Sequence, residues 1–388
     1  MHSGHAELMT LLVLLAGSLA MPLLSGWLRL PSAVLLIGYG VAVGPHALDL
    51  LPARQLLGFL AELGFIVLMF LAGLEIDFNS IRAKGARPLA MLLAACAATF
   101  GLAFAAAAGL GQPPVVGLAL GATSVGLPLA VLREGGRLRT PLGQQILLLG
   151  SVGEFLTVIG MTLFYFLTRD GLSLALVWGL AKLLGLLLAA GALLRLLLAA
   201  AWWRPERVAA LVAHDDGAEI GVRAALLLAV GFAALAVLAG VESIVGAFLA
   251  GALTAFVLRG KAVLEQKLSA VGHGLLVPIF FVAVGVGFDP GVIDGPNLAL
   301  AGTLVLATFA ARLPPALVLL RGGLGGRDLL ALVALLSAPL TLVVAIATLG
   351  RDLGLLDAAA HGSLLLLAVG AGVLFPILFR LLARPPQA

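Results

Sequence analysis

Long apolar runs, interrupted by short polar or Pro/Gly-rich stretches, fill nearly all of the 388-residue chain. One helical bilayer crossing needs about 17 to 25 residues. Cutting at the interruptions predicts thirteen spans, at about 6–26, 31–45, 57–77, 88–110, 114–132, 141–168, 172–200, 220–240, 243–258, 271–288, 297–320, 328–350 and 359–382. The second and ninth are short. No Lys or Arg precedes the first run and no small-residue cleavage site follows it, so it is expected to stay as a helix and not to be removed as a signal peptide. The pattern predicts an all-α polytopic membrane protein.

Composition sharpens this. A mean hydropathy of +1.17, with 62% hydrophobic and 11% charged residues, excludes an ordinary soluble domain, in which about 25% of residues are charged. The 49 glycines suit helices that approach one another in lipid, where small residues rather than a hydrophobic driving force bring backbones together.

Charge gives an independent test of the span count, because cytoplasmic loops carry the Lys and Arg excess. With the N-terminus outside, the inner loops and tail hold sixteen basic residues: Arg29, Arg82, Lys84, Arg87, Arg133, Arg137, Arg139, Arg204, Arg207, Arg259, Lys261, Lys267, Arg321, Arg327, Arg380 and Arg384. The outer loops hold Arg54, Arg169 and Arg351. The asymmetry places the C-terminus in the cytoplasm and accounts for a pI near 9.7 without nucleic acid, since the charges are spread singly over alternate loops.

Four basic residues remain. Arg195 and Arg223 fall near cytoplasmic ends, where long side chains snorkel to the interface, whereas Lys182 and Arg312 lie deep. The same depth test among the acids leaves Glu154, because Glu62, Glu75, Asp77, Glu219 and Glu242 lie near predicted helix ends. A lone carboxylate at that depth costs about 2.5 to 3.5 kcal/mol on insertion scales and marks a functional site by default.

Two spans are broken in mid-membrane. Gly121-Ala-Thr-Ser-Val-Gly-Leu-Pro128 interrupts the fifth, and Ser337-Ala-Pro-Leu-Thr341 the twelfth. Proline removes a donor and clashes one turn back. Broken backbone at that depth persists only where it is buried in protein or lines a watery cavity. The two spans are seven apart, and an odd shift reverses orientation, so spans two to six are expected to repeat as nine to thirteen around a midplane site. Leu147-Leu-Leu-Gly-Ser-Val-Gly-Glu154 in span six echoes Leu364-Leu-Leu-Leu-Ala-Val-Gly-Ala371 in span thirteen.

Three segments carry a resemblance: Leu60-Ala-Glu-Leu-Gly-Phe-Ile-Val-Leu-Met-Phe-Leu-Ala-Gly-Leu-Glu-Ile-Asp77, Ile244-Val-Gly-Ala-Phe-Leu-Ala-Gly251 and Pro278-Ile-Phe-Phe-Val-Ala-Val-Gly285. Together they resemble the monovalent cation:proton antiporter-2 family, of sodium/proton exchangers and potassium-efflux membrane domains. The resemblance implies a sodium/proton antiporter-like fold with two discontinuous helices and an elevator-like homodimer. Panel helices would fall in 1–80 and 218–290, a linker helix in 171–203, and core helices in 86–170 and 297–384, with broken helices at 114–132 and 328–350. It places the ion-binding carboxylate at Glu154, a charge-balancing base at Arg312, and broken-helix residues at Thr123 and Ser124 in one half and Ser337, Pro339 and Thr341 in the other. The family mostly carries Asp where this chain has Glu154, and often Asp, Asn or Gln where it has Gly153. One carboxylate instead of two implies one-for-one, electroneutral exchange.

The expected chemistry is competition of H⁺ with Na⁺ or K⁺ at Glu154, since burial and a nearby guanidinium pull a carboxylate's titration in opposite directions. Half-helix C-terminal carbonyls with Thr123, Ser124 and Ser151 would complete an oxygen shell for the monovalent cation. Moving an empty, charged Glu154 across the bilayer is penalised, which enforces coupling. No cofactor is expected beyond the cation and proton as substrates. The chain ends soon after span thirteen, which predicts regulation by pH at the site or by a separate subunit, in a bacterial inner membrane.

Other readings compete. Glu154 and Arg312 form a structural ion pair in one of them, and Lys182 is more simply a linker-helix residue reaching a carbonyl or a water-filled crevice. His214-Asp-Asp-Gly217 imitates a metal or acid/base site but belongs to the longest cytoplasmic loop, and the six histidines show no ligand spacing. Cys96, the only cysteine, excludes an intramolecular disulfide. An intramembrane enzyme lacks a second deep acid or a zinc-binding helix, and a potassium-efflux channel lacks a filter loop.

Overall fold

The computed structural model describes residues 2–28, 30–76, 86–171, 219–238, 243–257, 262–318 and 324–383, with isolated positions between 174 and 196. Every regular element among them is helical: α1 (His2–Leu28), α2 (Ser32–Val43), α3 (Arg54–Leu74), α4 (Ala86–Gly109), α5 (Pro114–Gly121), α6 (Gly126–Glu134), α7 (Pro141–Asp170), α8 (Ile220–Leu238), α9 (Ser243–Val257), α10 (Ala262–Val271), α11 (Val277–Val286), α12 (Gly295–Ala316), α13 (Gly326–Leu336), α14 (Leu340–Asp352) and α15 (Ala358–Leu382). A π-helical turn, Gly272–Leu276, joins α10 to α11.

Nine helices among the described residues are long and apolar enough to cross a membrane, ten when the bent pair α13 and α14 counts as one span. The short second and ninth spans are the 12-residue α2 and the 15-residue α9. Most of the seventh span and the whole His214–Gly217 loop lie outside the described residues. One boundary is corrected: α3 begins at Arg54, three residues before the predicted start, so Glu62 is an exposed residue well inside its helix and not at its end. Glu75 is the C-cap of α3. Glu219 immediately precedes α8 and pairs with Lys267 at 2.8 Å.

The chain packs as two units, each assembled from two stretches of sequence. The first comprises Met1–Phe78 and Thr162–Gly287, the second Asn79–Met161 and Phe288–Ala388. The boundary at Thr162 falls inside α7, so one continuous helix contributes to both.

Within the first unit the closest pairings are α3 with α9 and α2 with α11. Both are made by reciprocal glycines. Gly73 faces the Phe248 carbonyl while Gly251 faces that of Phe70, and Gly40 faces the Val282 carbonyl while Gly285 faces that of Ile37. A Cβ at any of the four would run into backbone, so these helices touch main chain to main chain, as small residues allow in lipid. If spans two to six repeat as nine to thirteen, these are the same crossing made twice.

The second unit wraps α15 against α12, α13 and α14, with α4 against α5 and α12. Leu132, Ile146, Leu332, Leu336 and Phe379 form part of its apolar core. Asp294 caps α12 through the Asn297 N–H at 2.8 Å, and Asp357 caps α15 through the Ala360 N–H at 2.7 Å. Such caps contribute about 0.5–2 kcal/mol each and fix where the two helices begin. Every residue of the candidate site described next lies in this unit.

Candidate functional site around Glu154

The fifth span stops being helical where its sequence cannot sustain a helix. Pro128 lies in the first turn of α6, where its missing N–H costs nothing, but its ring would clash with the Ser124 carbonyl if the helix ran on from α5. Ala122 accordingly leaves the helix at φ −56° and ψ 137°. The twelfth span breaks similarly: Ser337 closes α13, Pro339 supplies no N–H, and α14 starts at Leu340. The axes of α13 and α14 differ by 40°.

Backbone polar groups freed at the first break need partners, and neighbouring helices provide them. Glu154, on α7 and only 1% exposed, accepts from the Ser124 hydroxyl through Oε1 at 3.2 Å and from the Val125 N–H through Oε2 at 3.1 Å. Ser124 Oγ also lies 3.1 Å from Thr341 Oγ1 on α14. With the Ser124 proton directed to the carboxylate, Thr341 is the donor in that pair. One turn beyond Glu154, Thr157 accepts from the Thr123 N–H at 3.1 Å and donates to the Gly153 carbonyl at 2.7 Å.

Arg312, on α12 and 5% exposed, serves the other side of the break. Its Nη1 donates to the carbonyls of Leu120 at 2.8 Å and Thr308 at 2.7 Å, and its Nη2 donates to the carbonyl of Ala122. The guanidinium thus caps the C-terminal end of α5, where carbonyls lack helical partners and the helix dipole favours a cation. Its Nε has no protein partner. No ion pair joins Arg312 to Glu154, which corrects the ion-pair alternative. The carbonyls of Leu120 and Ala122, expected as part of an oxygen shell, each accept from Arg312.

The remaining predicted residues divide clearly. Thr123 and Ser124 are buried at the break, and Thr341 reaches the cluster from the second broken helix. Ser151 is buried on α7 but makes no hydrogen bond to the Glu154 carboxylate. Ser337 turns its hydroxyl back onto the Val333 carbonyl at 2.7 Å, and Pro339 shapes the second break without contributing a polar group. Lys182 is an exposed helical position in the other unit. Thr157, Thr308 and the Val125 N–H were not singled out from sequence. For Thr157 a signal existed, since it is three residues beyond Glu154 and therefore on the same helix face.

A small cavity lies beside this cluster, with Cys96, Thr99, Thr123, Gly153 and Arg312 in its wall. Gly153 is bare because Thr123 fills the space: a Cβ there would sit 2.8 Å from Thr123 Cβ. A buried acid and a buried base thus bracket one helix break, the acid on the Val125 N–H and the base on the Leu120 and Ala122 carbonyls.

The family model for the transmembrane sodium/hydrogen exchanger matches residues 11–383. The chain belongs to the sodium/hydrogen exchanger family. Among relatives, the putative Na⁺/H⁺ antiporter YjbQ of Bacillus subtilis is 31% identical over 406 aligned positions, covering 98% of this chain and 64% of YjbQ. The chain therefore spans less than two thirds of that relative's length. The Na⁺/H⁺-K⁺ antiporter GerN of Bacillus cereus is 31% identical over 287 positions, covering 71% of this chain and 70% of GerN. Among solved structures, the sodium proton antiporter MjNhaP1 of Methanocaldococcus jannaschii superposes with a TM-score of 0.64 at 17% identity, over 97% of this chain and 96% of that one. At that identity the likeness is one of fold, and this exchanger-family chain is an all-helical integral membrane protein.

Proposed function

We propose that the chain exchanges a monovalent cation, Na⁺ or K⁺, for H⁺, with Glu154 holding either one. The observation that carries this is the state of the carboxylate: buried, anchored by a hydroxyl and a backbone N–H, and free of any ion pair. An anion at that depth without a counter-ion is costly. A bound proton or a bound cation each remove the cost, and they cannot do so together. Ser124 and Thr341 present hydroxyl oxygens beside the carboxylate, the kind of ligand a hard monovalent cation takes.

Coupling follows from the same penalty, because reorienting the site while Glu154 is neither protonated nor cation-bound carries a bare charge through low dielectric. Arg312 keeps its own charge on backbone carbonyls and does not neutralise the acid. Glu154 is the one buried acid among the described residues, so each cycle carries one proton against one cation and is electroneutral. That YjbQ is a putative Na⁺/H⁺ antiporter and GerN a Na⁺/H⁺-K⁺ antiporter supports both cations as candidates. The unit carrying Glu154 serves as the mobile core of a homodimer in a bacterial inner membrane, with the N-terminus outside.

The test is cation-driven proton movement in proteoliposomes with a lumenal pH dye, adding Na⁺, K⁺ or Li⁺ in turn. The wild type is expected to dissipate a pH gradient equally with and without a clamped membrane potential, and Glu154→Gln to be silent. Proton movement that survives in Glu154→Gln removes Glu154 from the mechanism.

A further inference from the structure

We infer that Thr157 is a positioning residue for exchange, holding the first helix break in register on α7 so that the Val125 N–H and Ser124 hydroxyl stay on Glu154 whatever Glu154 carries. The inference rests on the proposed role of Glu154 and extends it to a residue that does not touch the ion.

Thr157 is 0% exposed, and its hydroxyl is used twice. The single proton goes to the Gly153 carbonyl at 2.7 Å, a bond within its own helix, which turns an oxygen lone pair toward α5. That lone pair accepts the Thr123 N–H at 3.1 Å, a donor left without a helical acceptor where the chain leaves α5 at Ala122. Two residues further on, the Val125 N–H reaches Glu154 Oε2. The break is therefore strapped to α7 at two points one helical turn apart, and the straps differ in kind. The bond at Glu154 involves a charge-assisted acceptor whose strength changes when a proton or cation is taken up. The bond at Thr157 is between neutral groups and is indifferent to that change. Without it, each change of occupant would leave the break free to drift from the carboxylate.

Gly153 supports the same conclusion from the opposite side. It brings α7 close enough for the Thr123 N–H to reach Thr157, and a side chain at 153 would meet Thr123 Cβ at 2.8 Å and its Cγ2 at 3.0 Å. Thr123, Gly153 and Thr157 form one close contact in which a single methyl group is felt.

The test compares wild type, Thr157→Val, Thr157→Ser, Gly153→Ala and Glu154→Gln as full-length chains. Two readouts are used: thermal stabilisation of detergent-solubilised protein by titrated NaCl, KCl or LiCl, and the cation KM and pH profile of exchange in proteoliposomes. Thr157→Val keeps the shape of threonine and removes the acceptor. It is expected to raise the apparent cation Kd and KM about tenfold, with a smaller change in kcat and a displaced pH profile. Thr157→Ser is expected to stay within about twofold of wild type, because it keeps the oxygen. Gly153→Ala is expected to move KM in the same direction, and it decides the matter if Thr157→Val does not fold. Unchanged KM and pH profile in Thr157→Val, or equal losses in the Ser and Val variants, would overturn the positioning role. If Glu154→Gln binds cations as the wild type does, it is the assignment of Glu154 that fails, and the Thr157 inference falls with it.

Discussion

The two broken helices of the second unit look alike in sequence and differ in how their loose ends are satisfied. At the second break, Ser337 donates both its N–H and its hydroxyl to carbonyls of its own helix, and Pro339 has no donor to satisfy. At the first, the Thr123 and Val125 N–H groups go to Thr157 and Glu154 on α7, and the Leu120 and Ala122 carbonyls to Arg312 on α12. A break that takes its partners from a buried acid, a buried threonine and a buried base ties backbone geometry to the state of those groups.

Four substitutions test that contrast, and the largest effect belongs to Arg312. Arg312→Met leaves the carbonyls of Leu120, Ala122 and Thr308 without their donor. It is expected to cost about 3–5 kcal/mol of stability, at about 1.5–3 kcal/mol for a hydrogen bond to a charged group with partial relaxation, and to lower exchange more than about a hundredfold. Detergent thermal unfolding and proteoliposome exchange measure the two effects. A stable, active Arg312→Met would mean that the first break does not need its cap.

Ser124→Ala removes one of the two anchors of the Glu154 carboxylate and is expected to weaken apparent cation affinity about tenfold, as the loss of about 1.4 kcal/mol implies. Thr341→Val acts one bond further away, removing the hydroxyl that supports Ser124, and about a threefold loss in KM is expected. Ser337→Ala should change exchange by less than about twofold, since its hydroxyl serves only its own helix turn. Equal losses in Ser124→Ala and Ser337→Ala, measured in the same vesicles, would erase the distinction between the breaks.

Much of the site was legible along the chain. Glu154 and Arg312 stood out because a charge deep in an apolar run is costly, as Lys182 did too although it lies exposed. The breaks stood out because Pro128 and Pro339 come with Gly, Ser or Thr in mid-span, whereas Pro22 and Pro376 are carried inside α1 and α15. What Arg312 does was not legible. Its carbonyl partners Leu120 and Ala122 lie about 190 residues away and carry no side-chain signal, so the chain suggested a base that balances Glu154, or in the competing reading an ion pair with it, and not a cap on α5. Ser151 misled for a related reason: one turn from Glu154 puts it on the right face, and only packing decides whether its hydroxyl reaches the carboxylate. Thr157 bonds its own i−4 carbonyl, as a threonine in a membrane helix ordinarily does, and only packing shows that it also accepts from the break.

The sequence by itself determined that this protein lives in a bilayer, that Glu154 and Arg312 are buried and where two helices fail, because each of these is a local balance between transfer cost and helix geometry. Tertiary structure decided which groups repair the first break. That choice depends on three helices far apart in sequence meeting at one point, and no local property of α5, α7 or α12 records that they meet.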